Sequence, residues 1–210
     1  MSEYVQIHPK NPQPRLVTRV VQRIRDGAVV AYPTDSSYAL GCHMGDKAAT
    51  ERIRRIRDFD RRHNFTLLCR DLSEVSLYTK LDNRAFRLVK SLTPGPFTFI
   101  LNATHGVPRR ALHDRRKTIG VRIPDHVTAL ALLRELNEPL MSCTLIVPGD
   151  ALPLSEPAQV YEALANQVDV IVDSGACGLE PTTVLDLTDS LPRLVRQGKG
   201  DVSRLEMQSV

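Results

Sequence analysis

Hydroxyl and arginine side chains recur in segments that we expect to lie at strand ends. They are Thr34 with its neighbours up to Tyr38, Arg122, Thr182, Thr183 and Arg196. Hydroxyl and guanidinium groups donate hydrogen bonds to phosphate and carboxylate oxygens, and open α/β sheets bind ligands beyond their strand ends. The pattern indicates a site for an anionic ligand.

Each of these residues also has a purely structural interpretation. Thr34 fits a cap of the turn after Pro33. Arg122 fits an ion pair with Asp125, and Thr182 fits a strand position. The chain contains no Walker loop, Rossmann fingerprint, H-E-x-x-H or G-x-S-x-G motif. The residues by themselves therefore leave both interpretations open.

Alternating helix and strand patterns supply the elements that position these side chains. Apolar spacing predicts helices over residues 17–24, 47–56, 82–91, 127–137 and 157–166. Compact β-branched runs predict the strands AVVAYP, FTLLC, FTFIL, TIGVRIP, PLMSCTLIV, VDVIVDSG and TTVLDLT. The segment PTDSSYALGC after the first strand is predicted to be a loop, and Asp71 has cap chemistry. This order predicts an α/β fold in which helices pack on a mixed sheet.

Composition is that of a globular protein. Hydrophobic residues make up 42% and charged residues 25% of the 210, and no apolar stretch is long enough to span a membrane. The N-terminal sequence lacks a secretory signal pattern, so we expect a soluble cytoplasmic protein. The solitary cysteines Cys42, Cys69, Cys143 and Cys177 predict reduced, mostly buried thiols and no metal site.

Positive charge is concentrated in two stretches. From Glu51 to Arg70 there are seven arginines and three acidic residues, and from Arg109 to Lys117 there are five basic residues and Asp114. Because the whole chain has a formal charge of only +4, the remainder is acidic. This distribution favours a phosphate-bearing partner, although charge alone leaves solvated surfaces open as the alternative.

Six segments, in matching order and spacing, resemble the YrdC/YciO family: YPTDSSYALGC, PGPFTFIL, TIGVRIPDH, PLMSCTLIVPG, PTTVLDLT and VRQGKGD. The family fold is one α/β domain with a twisted, open, mixed sheet and a basic concave surface. The resemblance therefore implies a single domain over residues 1–210 with its core at about 13–200. YrdC-like enzymes make L-threonylcarbamoyl-adenylate from L-threonine, bicarbonate and ATP, releasing pyrophosphate, for threonylcarbamoyl-adenosine in tRNA.

The resemblance implies binding roles for seven residues but identifies no catalytic residue. The substrate-binding set is Thr34, Tyr38, Arg122 and Thr182, and the nucleotide-binding set is Arg57, Thr144 and Arg196. ATP would arrive with Mg²⁺ as a substrate, so no permanent cofactor and no protein metal site are expected.

Two polar pairs of the synthases are altered in this chain. Their Lys-x-Arg pair aligns with Arg57 and Phe59, and their Ser-x-Asn pair aligns with Thr144 and Ile146. The segments RDFDRRHNFTLLCRDLSE and PLMSCTLIVPGD are similar to the YciO branch. Two lost polar contacts to ATP cost about 3 to 6 kcal/mol, or roughly two to four decades in affinity or rate. We therefore expect weak or altered synthase activity.

The basic stretches favour structured RNA as a partner. The candidate contacts are Arg54, Arg55, Arg61, Arg62, Arg109, Arg110, Arg115, Arg116 and Lys117. Aromatic residues make up only 5%, so double-stranded or structured transfer or ribosomal RNA is favoured over single strands. A synthase, a non-catalytic RNA-binding paralogue and a protein for another amino acid or carboxylate all stay open. The sequence fits a monomer or a homodimer equally well.

Overall fold

A computed structural model describes residues 1–59, 65–112, 117–203 and 205, without the side chain of Arg110. The helices in these residues are α1 (Pro14–Arg25), α2 (Lys47–Arg57), α3 (Leu72–Tyr78), α4 (Asn83–Leu92), α5 (Val127–Leu136) and α6 (Pro157–Leu164). The strands are β1 (Glu3–Gln6), β2 (Val30–Pro33), β3 (Tyr38–His43), β4 (Thr66–Leu68), β5 (Phe97–Asn102), β6 (Thr118–Arg122), β7 (Leu140–Thr144), β8 (Val170–Asp173), β9 (Thr183–Asp186) and β10 (Arg193–Arg196).

The strands of the described residues form one ten-stranded sheet. Its order is β1-β8-β2-β3-β7-β4-β6-β5-β9-β10. Parallel pairs, such as β4 with β6, alternate irregularly with antiparallel pairs, such as β2 with β3 and β3 with β7. The prediction of a single α/β domain with a mixed sheet flanked by helices is confirmed.

Helices cover both faces of this sheet. On one face α1 buries Val17, Val20, Val21 and Ile24, while α5 buries its own leucines, against β2, β4 and β7 in a smaller core. The buried side chains of α2, α3, α4 and α6 join the opposite, larger core. Alternation of side chains along each strand assigns neighbouring residues to the two cores. The apolar spacing that predicted these helices therefore corresponds to the side chains that the helices bury.

Aspartate side chains begin three of these helices. Asp46, Asp71 and Asp82 each accept a hydrogen bond from the backbone N–H three residues later. Such a cap satisfies one of the free N–H groups of the first turn. The predicted cap at Asp71 is thus confirmed.

The loop prediction for PTDSSYALGC is wrong beyond residue 37. Residues from Tyr38 onward form β3, which pairs with β2 as an antiparallel hairpin. Tyr38, Leu40 and Cys42 alternate into the larger core, so burial outweighs the loop character of the serines and Gly41. The edge strands β1 and β10 and the helix α3 were also not predicted as elements.

The cysteines are free thiols, and three of the four are buried. Burial raises the pKa of Cys42, Cys143 and Cys177 to about 12, which keeps these thiols protonated. The predicted burial is confirmed for Cys42, Cys69 and Cys143, and their reduced state stays a prediction. Separately, no helix of the described residues has the length and apolar character that crossing a membrane requires.

Candidate functional site

Four central strands place small residues in one row across the sheet. Gly41 pairs with Ser142, Ser142 with Thr66, and Thr66 with Gly120. Cross-strand partners share a face of the sheet, and this row lies on the face of the smaller core. Thr66 is half-buried, whereas Gly41, Ser142 and Gly120 are buried. Side chains pack closely on the glycines, since a Cβ at Gly41 would lie 2.7 Å from Leu140 and one at Gly120 would lie 3.0 Å from Thr66. We call this row the small-residue floor.

Arg122 lies on the same face, two residues beyond Gly120 at the end of β6. Its side chain is 8% exposed, and its Nη2 contacts Oδ1 of Asp35 at 2.5 Å. Its Nη1 donates to Oγ of Ser36 at 3.0 Å. The ion pair therefore forms with Asp35 instead of Asp125. Burial lowers the pKa of Arg122, and the neighbouring Asp35 carboxylate opposes that shift.

Thr34 organises the turn that carries Asp35 and Ser36. Its hydroxyl donates to the carbonyl of Ser37 at 2.7 Å and accepts from the N–H groups of Ser36 and Ser37 at 3.2 and 3.3 Å. The structural interpretation of Thr34 as a turn cap therefore applies. The predicted contact of Thr34 with a substrate stays a prediction.

Thr182 and Arg196 form a second polar group. Arg196 donates from Nε and Nη2 to the carbonyl of Thr182 at 3.2 and 2.9 Å. The Thr182 hydroxyl lies 2.9 Å from that of Thr98 on β5. Burial lowers the pKa of Arg196. This geometry holds one guanidinium beside two hydroxyl groups.

Lys199 joins the two groups. Its Nζ donates to the carbonyl of Asp35 at 2.5 Å, and its backbone N–H donates to the carbonyl of Pro181 at 2.9 Å. We call the connected set the Arg122–Arg196 site, and its members are Asp35, Ser36, Arg122, Thr182, Arg196 and Lys199. Sequence reasoning missed Asp35 and Lys199, although both lie inside segments that it singled out.

Arg57, Tyr38 and Thr144 are placed differently. The Arg57 guanidinium stacks on the Phe59 ring at 4.5 Å, and burial lowers its pKa while the nearby Cys143 opposes the shift. Tyr38 packs in the larger core, where its hydroxyl donates to the carbonyl of Gly175 at 3.2 Å. Thr144 is half-buried at the end of β7. Within the described residues, none of the three forms a hydrogen bond or ion pair with the Arg122–Arg196 site.

The candidate RNA contacts divide by exposure. Arg54 is 9% exposed, stacks on Phe65 at 5.0 Å and pairs with Glu51 at 3.7 Å. Arg55, Arg109 and Lys117 are exposed. Arg61, Arg62, Arg115 and Arg116 lie outside the described residues, as does the side chain of Arg110. In the described ranges, no three His, Cys, Asp or Glu side chains are grouped to hold a metal ion.

Comparison with known proteins identifies relatives that match nearly the whole chain. The Sua5/YciO/YrdC family model, described as telomere recombination, matches residues 22–198. YciO of Escherichia coli (strain K12) is 54% identical over 96% of this chain and 98% of its own length. Its crystal structure superposes with a TM-score of 0.94, covering 97% of this chain and 98% of that one.

Two relatives are linked to threonine chemistry by name. The threonylcarbamoyl-AMP synthase of Chromobacterium violaceum is 36% identical over 85% of this chain and 92% of its own length. The structure of P. abyssi Sua5 complexed with L-threonine is 26% identical and has a TM-score of 0.86, covering 94% of this chain and 58% of that one. Because the family model spans most of the chain and the fold agrees, this chain belongs to the Sua5/YciO/YrdC family.

Proposed function

We propose that this protein binds L-threonine and ATP over the small-residue floor and has weak or altered L-threonylcarbamoyl-AMP synthase activity. The observation that carries the proposal is the Arg122–Arg196 site, which connects two arginines, a lysine and several hydroxyls. The synthase name of the C. violaceum relative and the L-threonine complex of P. abyssi Sua5 support this choice of substrates.

The site residues fit the charges of such a reaction. The guanidinium groups of Arg122 and Arg196 suit a carboxylate and phosphate oxygens, because arginine presents several donors in a planar fork. Mg²⁺ would enter bound to ATP and neutralise charge on the pyrophosphate leaving group. The chain would contribute mainly by holding the reactants in place, since positioning supplies a large part of the rate enhancement.

The altered polar pairs argue for reduced activity. Arg57 is directed at Phe59 and Cys143, so its charge is already in contact with protein groups. Phe59 and Ile146 are apolar where the synthases carry polar ATP-binding groups, and both are half-buried. We therefore expect a rate lower than that of a synthase with both pairs by about two to four decades.

Pyrophosphate release tests this proposal. The purified protein is incubated with ATP and Mg²⁺, with and without L-threonine and bicarbonate. We expect release that requires both co-substrates and is lost in Arg196→Ala but kept in Arg87→Ala, which removes an exposed arginine of α4. ATP turnover that is indifferent to threonine and bicarbonate would contradict the proposal.

A second candidate function is non-catalytic binding of structured RNA. It is favoured by Arg55, Arg109 and Lys117, which are exposed and pair with no acidic side chain in the part of the chain that the structure describes. Contacts to RNA phosphates release counterions, so affinity should fall steeply with salt. Replacing these three residues by alanine should make the logarithmic salt slope shallower by about 2 to 3. An unchanged slope would contradict RNA binding through these residues.

A further inference from the structure

The backbone on both sides of Lys199 is fixed beside the start of β9. The N–H of Lys199 donates to the carbonyl of Pro181 at 2.9 Å. The Thr183 hydroxyl accepts from the N–H of Gly198 at 3.0 Å and donates to the carbonyl of Gly200 at 2.7 Å. Gly200 itself is buried. The side chain of Lys199 therefore starts from an anchored point of the fold.

The ammonium group of Lys199 carries a charge that no carboxylate neutralises. Lys199 is exposed, and its Nζ donates to the backbone carbonyl of Asp35 at 2.5 Å, which is a neutral acceptor. A lysine ammonium has three donors, so two of them stay available for a ligand. In the part of the chain that the structure describes, this ammonium forms no ion pair, whereas Arg122 is paired with the Asp35 carboxylate. Lys199 therefore has both charge and donors to offer an anion.

Lys199 lies between the two arginines of the Arg122–Arg196 site. On one side its ammonium contacts Asp35, whose carboxylate binds Arg122. On the other side its backbone binds the carbonyl of the residue before Thr182, and the carbonyl of Thr182 binds Arg196. Phosphates bound at Arg196 would thus have a second cation beside them.

The position that aligns with the ATP-binding lysine of the synthases does not supply such a cation. Arg57 stands there, and its guanidinium stacks on the Phe59 ring at 4.5 Å and contacts Cys143. A chain that keeps nucleotide binding needs an ammonium or guanidinium for the phosphates from another position. Lys199 meets that need because its donors are not used by side chains of the protein.

We propose that Lys199 binds the phosphates of a nucleoside triphosphate, in the role that the altered lysine position no longer fills. The inference rests on the proposed function, which puts the phosphates near Arg196. When the phosphates bind, the ammonium exchanges the neutral Asp35 carbonyl for charged oxygens, and charge-assisted hydrogen bonds are roughly twice as strong as neutral ones. Lys199 is then a residue that makes the site prefer triphosphates over nucleosides.

Lys199→Met tests this role because it removes the ammonium and keeps a long side chain. Binding of α,β-methylene ATP with Mg²⁺, which cannot release pyrophosphate, and of adenosine is measured by titration calorimetry without L-threonine. We expect the variant to bind the ATP analogue at least about tenfold more weakly and adenosine equally well. Lys90→Met is the matched control, since Lys90 is an exposed lysine of α4. An unchanged affinity for the ATP analogue, or an equal loss for both ligands, overturns the inference.

Chemical labelling tests the same contact in the wild-type protein, so it does not depend on how well a variant folds. Lys199 and Lys90 are both exposed, and an acetylating reagent should modify both. Peptide mass spectrometry then follows each lysine with and without saturating α,β-methylene ATP and Mg²⁺. The nucleotide should protect Lys199 and leave the labelling of Lys90 unchanged. Labelling of Lys199 at the same rate with the nucleotide bound overturns the inference.

These outcomes separate the inference from the proposed function. Threonine-dependent pyrophosphate release together with unchanged nucleotide affinity in Lys199→Met would leave the synthase proposal standing and remove the role of Lys199. Nucleotide binding that depends on Lys199, without any pyrophosphate release, would support the inference and remove the synthase proposal. No binding of the ATP analogue by the wild type would overturn both.

Discussion

Gly198→Ala should disrupt the Arg122–Arg196 site although Gly198 itself carries no functional group. A Cβ at this position would lie 2.2 Å from the carbonyl oxygen of Pro181 and 2.7 Å from the carbonyl carbon and oxygen of Thr182. Real Cβ contacts are essentially never shorter than 3.0 Å, and these neighbours are backbone atoms that no side-chain rotation can move. The two backbone segments must separate.

Separating these two backbone segments would lengthen or break hydrogen bonds that stabilise the Arg122–Arg196 site. Gly198 N–H donates to the Thr183 hydroxyl at 3.0 Å, and Lys199 N–H donates to Pro181 at 2.9 Å. Arg196 is bound to the same Thr182 carbonyl that the new Cβ would displace. Overpacking costs about 1 to 3 kcal/mol and each lost hydrogen bond about 0.5 to 1.5 kcal/mol. We expect the free energy of unfolding to fall by about 2 to 4 kcal/mol.

Urea unfolding measures this loss, and Gly106→Ala provides the matched control. A Cβ at Gly106 would lie 3.4 Å from the Tyr78 ring, an ordinary contact, so that variant should stay within about 0.5 kcal/mol of the wild type. The slope of free energy with urea should not change, because the same surface is exposed on unfolding. Wild-type stability in Gly198→Ala would refute the packing described around Arg196.

Three further substitutions test other contacts. Tyr32→Phe leaves the buried Ser142 hydroxyl without its 2.5 Å partner and should cost about 1 to 3 kcal/mol in thermal unfolding. Adding Ser142→Ala should restore most of the lost stability, because no buried hydroxyl is then left without a partner. A double variant that is less stable than Tyr32→Phe would contradict this explanation. Burial alone would raise the pKa of Asp186, but hydrogen bonds, chiefly from Thr188, lower it below the ordinary 3.8. The wild type should therefore exceed Asp186→Asn in free energy of unfolding by a constant amount above pH 3.8, and this difference should shrink as the pH falls through the lower pKa of the folded state. A difference that does not change with pH would contradict this role of Asp186. Thr34→Val removes the turn-organising hydroxyl and should cost about 1 to 2 kcal/mol in urea unfolding, so an unchanged midpoint would contradict its role.

Periodicity predicted the elements whose burial is regular. Helix α1 shows one apolar face at helical spacing, and strands such as β7 are compact apolar runs, so local pattern and tertiary packing agree. Strand β3 was predicted as a loop because its serine and glycine neighbours resemble turn residues, although Leu40 and Cys42 are completely buried. The edge strands β1 and β10 were missed because they are four residues long and mostly exposed, which leaves little pattern.

The candidate site could be predicted only in part. Sequence reasoning singled out Arg122, Thr182 and Arg196, and the structure links them through Lys199. The partner of Arg122 could not be predicted, since Asp35 lies 87 residues away and becomes its neighbour only when the β2–β3 hairpin and β6 are assembled in one sheet. Asp125 was predicted as the partner because it lies only three residues after Arg122, but the ion pair forms with Asp35.

A crystal structure of the protein with L-threonine and a nonhydrolysable ATP analogue tests the central claim most directly. The account predicts both ligands at the Arg122–Arg196 site, with the amino acid at Arg122 and the phosphates near Arg196. Ligands bound away from both Arg122 and Arg196 would contradict it.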